Sequence, residues 1–159
     1  MTEIIAIAAV AKNNVIGKEG KIPWYIKEDF EHFKRLTIGH SCIMGMNTYE
    51  SLPTKPLPKR ENIVLTFDKD YNPSGTVVRH SFKEALDHCK GKDKVFICGG
   101  ASVYKLGMEV ADRLEITHID KDYDGDTYFP KIDLDKWEVS DKEDHDQYSF
   151  VSYSRKHSI

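Results

Sequence analysis

Residues 94–110 read KVFICGGASVYKLGMEV, and this stretch decides the fold class of the chain. Its first part, residues 94–98, is of strand length, is apolar after Lys94 and ends at Gly99-Gly100. Residues 101–110 are predicted to form a helix directly after the glycine pair. A strand that passes into a helix through a short turn is typical of α/β proteins with a parallel sheet.

The same alternation of strand and helix recurs along the rest of the chain. The predicted strands are 4–11, 40–44, 62–67, 76–80, 94–98 and 113–120, and the predicted helices are 27–36, 47–52, 81–89 and 101–110. Ser81 and Glu84 have the spacing of a capping box at the start of the third helix. The pattern predicts an α/β fold with a mostly parallel central sheet flanked by helices. Residues 137–142 and 148–156 alternate in polarity and are predicted to form an antiparallel C-terminal hairpin at the sheet edge.

Length and composition restrict the class of protein. The 159 residues predict a single domain, 1–159, with a sizeable core. The net charge of −3 argues against binding to nucleic acid or to an anionic membrane. There is no apolar run long enough to cross a bilayer. Three widely spaced cysteines, Cys42, Cys89 and Cys98, and the lack of a signal peptide predict reduced thiols in a cytoplasmic protein. We expect a monomer.

Asp29 has an unusual position in the first predicted helix. A period of 3.6 residues places Ile26, Phe30, Phe33 and Leu36 on one face, and Asp29 falls within the same arc. An ionised carboxylate between phenylalanines loses hydration that is worth several kcal/mol or more unless a cation or a strong donor meets it. The alternative is that Asp29 caps the helix or reaches solvent. We favour a ligand that supplies the missing donors.

Two glycine junctions predict a site for a dinucleotide. Gly99-Gly100 follows the fifth strand, and Gly45 follows the second strand and precedes a helix that carries Thr48. Glycine lets a ligand approach the backbone closely, and the start of a helix offers free N–H groups that suit a pyrophosphate. A simple tight turn explains either junction taken alone. The carboxyl ends of parallel strands meet at one edge of a sheet, so two junctions there favour a dinucleotide.

An acidic segment offers an alternative, a calcium site. Residues 120–126, DKDYDGD, match the opening of an EF-hand loop, including its glycine. The twelfth position, which requires a bidentate glutamate, is Lys131, and the preceding segment is strand-like. We therefore expect a solvated acidic turn. The seven histidines lack the spacing of paired zinc ligands, and we predict no metal site.

Eleven sequence motifs occur in the order and spacing of one known family. They are IAIAAV at 5–10, NNVIG at 13–17, IPW at 22–24, Asp29 with Phe33-Lys34, IMG at 43–45, TYESL at 48–52, PLPKR at 56–60, NIVLT at 62–66, CGGASVY at 98–104, ITHID at 116–120 and GDTYFP at 125–130. The chain resembles dihydrofolate reductase from residue 4 nearly to its C-terminus. The resemblance implies reduction of 7,8-dihydrofolate to tetrahydrofolate with NADPH, and binding of antifolates such as methotrexate and trimethoprim.

The resemblance also implies a role for individual residues at the substrate. Asp29 looks like the acid that bonds the pterin, Thr117 like the hydroxyl that supports it, and Arg60 like the guanidinium that binds the substrate α-carboxylate. Trp24 resembles the tryptophan that orders a water near Asp29, and Ile22 takes the bulky apolar place in the mobile loop over the nicotinamide. The apolar positions that match substrate contacts are Ile7, Ala8, Phe30, Phe33, Leu52 and Leu57.

A larger set of positions matches the lining of the dinucleotide site. These positions are Ala9, Ile16, Gly17, Gly45, Met46, Asn47, Thr48, Leu65, Thr66, Phe67, Cys98, Gly99, Gly100, Ala101, Ser102, Val103 and Tyr104. In the family the glycine pair is often joined by a cis peptide bond.

The chain departs from the family where the 2′-phosphate of NADPH is expected. Family members usually carry a basic residue after the glycine of the second strand and often another near the start of the helix after Gly-Gly. Those positions hold Met46 and Ser102 here. Partial compensation is expected from Asn47, Thr66, Lys69 and Arg79. NADPH remains the expected cofactor.

Two other functions compete with this interpretation. One is a related reductase on the same scaffold, such as the pyrimidine reductase of riboflavin synthesis, which needs polar residues for a phosphoribitol group. The combination of Asp29, Phe33 and Arg60 instead suits a pterin with a glutamate tail. The other is a calcium-binding module without catalytic activity, built on the acidic segment.

Overall fold

The computed structural model describes residues 2–156, and an eight-stranded sheet organises it. The strands are β1 (Glu3–Ala11), β2 (Val15–Gly17), β3 (Ser41–Gly45), β4 (Glu61–Leu65), β5 (Thr76–Arg79), β6 (Lys94–Ile97), β7 (Arg113–Ile119), β8 (Thr127–Tyr128), β9 (Trp137–His145) and β10 (Tyr148–Arg155). The helices are α1 (Lys27–Thr37), α2 (Met46–Ser51), α3 (Phe82–His88) and α4 (Ala101–Val110). The predicted fold class is therefore confirmed.

The order of strands in the large sheet is β5-β4-β3-β6-β1-β7-β10-β9. All pairs from β5 to β7 are parallel, whereas β10 runs antiparallel to β7 and to β9. The predicted hairpin lies at the sheet edge, although β9 is longer than expected. A second sheet of β2 and β8 was not predicted. Its strands have three and two residues, which is too short for a periodic pattern.

The core packs on both faces of the sheet because successive side chains of a strand point to opposite sides. In β1, Ile5 and Ile7 belong to one buried cluster, and Ala6 and Val10 belong to the other. This explains why β1 is apolar from Ile4 to Ala11, as strands covered on both faces are. All three cysteines are free thiols, as predicted.

Local sequence signals account for the positions of the helices. At the start of α3 the Ser81 hydroxyl oxygen accepts a hydrogen bond from the Glu84 backbone N–H at 3.1 Å, which confirms the predicted cap. Within α4, a Cβ added at Gly107 would come within 2.9 Å of Ile97, so the glycine lets α4 lie close to β6. No helix in the described range, 2–156, has the length and apolar character that a membrane span requires.

The acidic segment after β7 packs against the loop between β1 and α1. The Asp126 carboxylate accepts a hydrogen bond from the Glu19 backbone N–H at 3.0 Å, and Lys18 forms an ion pair with Asp124 at 2.6 Å. A Cβ at Gly125 would overlap both Val15 and the carbonyl oxygen of Gly17. The segment follows a strand, as expected, and residues 2–156 contain no cluster of three or more potential metal ligands.

Candidate active site

A cleft of about 1460 Å³ runs along the carboxyl ends of β3, β4 and β6 and crosses β1 and β7. Every predicted site residue except Trp24 lines it. We call one part the α1 end, which is lined by Ile7, Ala8, Asp29, Phe30, Phe33, Leu52, Leu57, Arg60 and Thr117. We call the other part the glycine end, which is lined by residues 45–48, 65–67, 80–82 and 98–104.

Asp29 at the α1 end is held by one hydrogen bond from the neighbouring sheet. The Thr117 hydroxyl of β7 donates to Asp29 Oδ1 at 2.6 Å. Thr117 is 3 % exposed and Asp29 is half-buried, and the first turn of α1 has no side-chain cap. Asp29 therefore does not cap the helix. It lines the same cleft as Phe30 and Phe33 and lies next to a strong donor.

The electrostatic environment of Asp29 favours its neutral form. Burial raises the pKa of Asp29 above its ordinary value, and the hydrogen bond from Thr117 opposes this effect without cancelling it. Among residues 2–156 no lysine, arginine or histidine forms an ion pair with this carboxylate. A ligand with N–H donors would supply the hydrogen bonds that the ionised Asp29 carboxylate lacks in these apolar surroundings.

Arg60 lies across the α1 end with its side chain fixed at two points. Its Nε donates to the carbonyl oxygen of Pro58 at 3.0 Å, and its Nη1 donates to the Thr37 hydroxyl at 3.1 Å. Its guanidinium carbon also lies 5.8 Å from the centre of the Phe33 ring. A guanidinium held in this way is suited to a carboxylate, because its planar fork needs little further ordering.

The loop that carries Leu57 and Arg60 depends on a buried residue that the sequence analysis missed. Asn62 is 1 % exposed, and its side-chain oxygen accepts a hydrogen bond from the Leu57 N–H at 2.8 Å. Its amide nitrogen donates to the carbonyl oxygens of Leu57 and Arg60 at 3.1 and 3.0 Å. The one available signal was an asparagine at the start of an otherwise apolar strand.

The two glycine junctions meet at the glycine end, as predicted. The Gly45 N–H donates to the carbonyl oxygen of Gly99 at 2.8 Å, and the peptide bond between Gly99 and Gly100 is cis. Gly99 has φ of +116°, and a Cβ there would lie 3.1 Å from the Tyr104 ring. A Cβ at Gly100 would lie 3.3 Å from the Thr48 hydroxyl. Side chains would therefore crowd this surface.

The start of α4 leaves backbone donors free beside this junction. Its N-cap is Gly100, which provides no side-chain hydrogen bond. The first N–H groups of a helix have no partner within the helix, and the helix dipole favours an anion there. The donors and the bare backbone together fit a dinucleotide pyrophosphate.

The groups that were expected to compensate for Met46 and Ser102 divide into two pairs. Asn47 and Thr66 line the cleft, whereas Lys69 and Arg79 do not. Arg79 instead donates to the Val78 carbonyl oxygen at 2.8 Å and lies 3.1 Å from His88 Nδ1. The sequence analysis also missed some lining residues, which are His32, Lys34, His80, Ser81, Phe82, Asp126 and Thr127.

Trp24 and Ile22 lie in the loop before α1 but differ in exposure. Ile22 is 53 % exposed and lines the cleft. Trp24 is 9 % exposed, and its ring packs against Tyr123 with 5.0 Å between ring centres. Trp24 thus anchors the loop to the acidic segment and does not line the cleft. Its role toward a water near Asp29 stays a prediction.

Comparison with known proteins identifies the family. The family described as Dihydrofolate reductase matches residues 3–156. The chain belongs to the dihydrofolate reductase family. Its members are oxidoreductases that reduce dihydrofolate with NADPH, so the activity and the cofactor predicted from the sequence are confirmed at the level of the family.

Individual dihydrofolate reductases agree in sequence and in structure. The enzyme of Neisseria meningitidis serogroup B is 41 % identical over 98 % of this chain and 99 % of its own length. That of Bacillus subtilis is 38 % identical over 96 % of this chain and 94 % of its own length. The structure of the enzyme from Enterococcus faecalis, complexed with NADP(H) and RAB-propyl, superimposes with a TM-score of 0.90 at 34 % identity, and the match covers 98 % of this chain and 97 % of the other.

Proposed function

We propose that this cleft reduces 7,8-dihydrofolate to 5,6,7,8-tetrahydrofolate, with the pterin at the α1 end and NADPH at the glycine end. The observation that carries the proposal is the Asp29 carboxylate, half-buried among apolar side chains and bonded to Thr117 at 2.6 Å. A pterin offers an amino group and a ring N–H side by side, which are the donors that this carboxylate lacks.

The residues of the α1 end then share the work of binding. Asp29 holds the pterin, Ile7, Ala8 and Phe33 pack against its rings, and Leu52 and Leu57 cover the benzoyl group. Arg60 binds the α-carboxylate of the glutamate tail with its fixed guanidinium. Antifolates such as methotrexate and trimethoprim carry similar adjacent donors, so we expect them to occupy the same end.

The glycine end is proposed to hold the dinucleotide along its backbone. NADPH would supply the hydride for C6 of the pterin, and the cleft would align the two rings and exclude water. Gly45, Gly99 and Gly100 allow the close approach, and the free N–H groups of α4 meet the pyrophosphate. Ile22 covers the junction between the two ends. Asp29 contacts the side of the pterin that lies away from N5, so the proton for N5 comes from solvent.

The direct test is a steady-state assay with dihydrofolate and either NADPH or NADH, followed at the nicotinamide absorbance. We expect turnover with both and a preference for NADPH. Methotrexate should also raise the melting temperature strongly, because a ligand that binds the folded state alone stabilises it. Turnover of a phosphoribitol pyrimidine without turnover of dihydrofolate would reject the proposal in favour of the rival reductase.

We further propose that residues 1–159 form one domain that acts as a monomer in the cytoplasm. The eight-stranded sheet that joins residues from Glu3 to Arg155 supports the single domain. Light scattering after size-exclusion chromatography tests the monomer, since a dimer would double the measured mass.

A further inference from the structure

Arg60 lines the cleft as a half-buried guanidinium. In the described part of the chain, residues 2–156, no aspartate or glutamate forms an ion pair with it. Its two side-chain hydrogen bonds, to the Pro58 carbonyl oxygen and the Thr37 hydroxyl, use only part of its N–H donors. The donors that remain are on Nη1 and Nη2, which form the planar fork that binds a carboxylate. The placement of this fork depends on the groups that hold the side chain and its backbone.

The backbone of Arg60 is held by Asn62, which does not line the cleft. Arg60 ends the loop of residues 52–60 between α2 and β4, and this loop contains three prolines, which have no N–H to donate. The Asn62 side chain, which is 1 % exposed, supplies one acceptor to the Leu57 N–H and donors to the Leu57 and Arg60 carbonyl oxygens. Asn62 is itself fixed because β4 pairs with β3 on one side and with β5 on the other.

The side chain of Arg60 is held by Thr37, the last residue of α1, which is fully buried. The Thr37 hydroxyl donates its one hydrogen to the Phe33 carbonyl oxygen at 2.7 Å, so its oxygen is left to accept from Arg60 Nη1 at 3.1 Å. Hydrogen bonds in such a chain strengthen one another. Phe33 lines the cleft, whereas Thr37 does not. Thr37 therefore acts on the cleft through Arg60, and it joins Arg60 to the helix that carries Asp29.

We propose that Asn62 and Thr37 are positioning residues that make the cleft selective for ligands with a carboxylate tail, because together they hold the Arg60 fork in one orientation. The inference rests on the proposed function and extends it to two residues that line neither end of the cleft. A guanidinium that is ordered before binding loses little freedom when the carboxylate arrives, so its support increases affinity. A ligand without a tail carboxylate gains nothing from that support.

The first test compares two antifolates by competitive titration calorimetry and needs no turnover. Methotrexate carries a glutamate tail, and trimethoprim has no carboxylate. Asn62→Ala removes all three hydrogen bonds to the loop, Thr37→Val removes the hydroxyl at nearly constant volume, and Thr37→Ser restores the hydroxyl. Ser41→Ala is the matched control, because Ser41 is also buried and its hydroxyl donates to Glu61 of β4 at 2.8 Å instead of to the loop.

Asn62→Ala and Thr37→Val should each weaken methotrexate about tenfold, the scale of one charge-assisted hydrogen bond, and should change trimethoprim binding little. Thr37→Ser should keep most of the affinity for methotrexate, and Ser41→Ala should bind both antifolates as the native protein does. The ratio of the two dissociation constants also corrects for a partly unfolded variant, because unfolding lowers the apparent affinity for both ligands by the same factor.

A double-mutant cycle tests whether the two residues act through Arg60. Asn62→Ala should raise the KM for dihydrofolate about tenfold with little change in kcat. In the Arg60→Leu background the same change should add little, because the fork that Asn62 supports is already gone.

Three results would overturn the inference while dihydrofolate reduction stands. They are equal losses for the two antifolates, additive losses in the double variant, and a Thr37→Ser variant that binds methotrexate no better than Thr37→Val. Absence of dihydrofolate turnover by the native protein would instead reject the proposed function, and this inference with it.

Discussion

The two ends of the cleft offer different physical means of binding to the ligands proposed for them. The α1 end presents charged side chains, and each is oriented by a polar partner: Asp29 by Thr117 and Arg60 by Thr37. The glycine end presents bare backbone and the N–H groups at the start of a helix, and His80 is a basic side chain that lines it. From this contrast we expect single side-chain substitutions to change activity strongly at the α1 end and more weakly at the glycine end.

The largest effect is expected from Asp29→Asn, because this change removes the charge that we propose to bind the pterin. Hydride transfer at neutral pH should fall at least about a hundredfold, the scale of losing a positioned ionisable group. Activity should recover toward low pH, where the substrate arrives already protonated. Single-turnover rates across pH measure this, and a rate near that of the native enzyme at pH 7 would remove Asp29 from its role.

Arg60→Leu should affect binding more than chemistry. Loss of one side of a charge-assisted bidentate contact costs roughly 2–4 kcal/mol, so the KM for dihydrofolate should rise well over tenfold while the KM for NADPH changes much less. Arg60→Lys serves as the control, because it keeps the charge and loses the planar fork. A larger rise in the KM for NADPH would place Arg60 at the glycine end.

Met46→Arg should produce a smaller change, and in the favourable direction. An exposed guanidinium beside Thr66 adds a contact to the 2′-phosphate that is worth roughly 1.5–3 kcal/mol at most. Efficiency with NADPH should rise several-fold and efficiency with NADH should change little. The gain should shrink at high salt because exposed charges are screened. Equal improvement with both cofactors would show that residue 46 does not face the phosphate.

The smallest expected effect is on stability, again from Asp29→Asn. Burial raises the pKa of Asp29, so the folded state holds the proton more tightly than the unfolded state. The native protein therefore gains stability from this group below its ordinary pKa and loses it as the pH rises through the raised value.

Asparagine has no such titration and keeps an oxygen for the Thr117 hydroxyl. The variant should therefore melt above the native protein at pH 7, and the difference should shrink below about pH 4, the ordinary range of an aspartate. Thermal melts of the two proteins without ligand at several pH values measure this. A variant that melts lower at pH 7 would show that the carboxylate stabilises the fold.

Periodicity and turn chemistry were sufficient to predict most of the fold from the sequence. Buried strands such as β1 and β6 are apolar after their first residue, and the helix after Gly99-Gly100 begins where the turn ends. The strands β2 and β8 escaped prediction because they are held by tertiary pairing and carry no pattern of their own.

The site was predicted unevenly for a similar reason. Asp29 stood out in the sequence because it is a carboxylate on the apolar face of its own helix. Asn62 and His80 show no such local conflict in the sequence. The Asn62 amide contacts the carbonyl oxygen of Leu57, five residues away, and the His80 ring contacts that of Thr66, fourteen residues away. Neither contact belongs to the period of a helix or a strand, so a periodic pattern does not predict it, and a motif shows it only when the family shares it.

The central place of β1 in the sheet has a consequence for the growing chain. Its two neighbours, β6 and β7, begin only at Lys94 and Arg113, so an apolar strand made first must wait for partners made much later. While the ribosome adds the intervening residues, this apolar strand has neither of its two neighbours and its backbone hydrogen-bonding groups are unpaired. An unpaired apolar strand can pair with other chains. Newly made copies are therefore most exposed to aggregation between the synthesis of β1 and that of β7, the strand that also carries the Thr117 partner of Asp29.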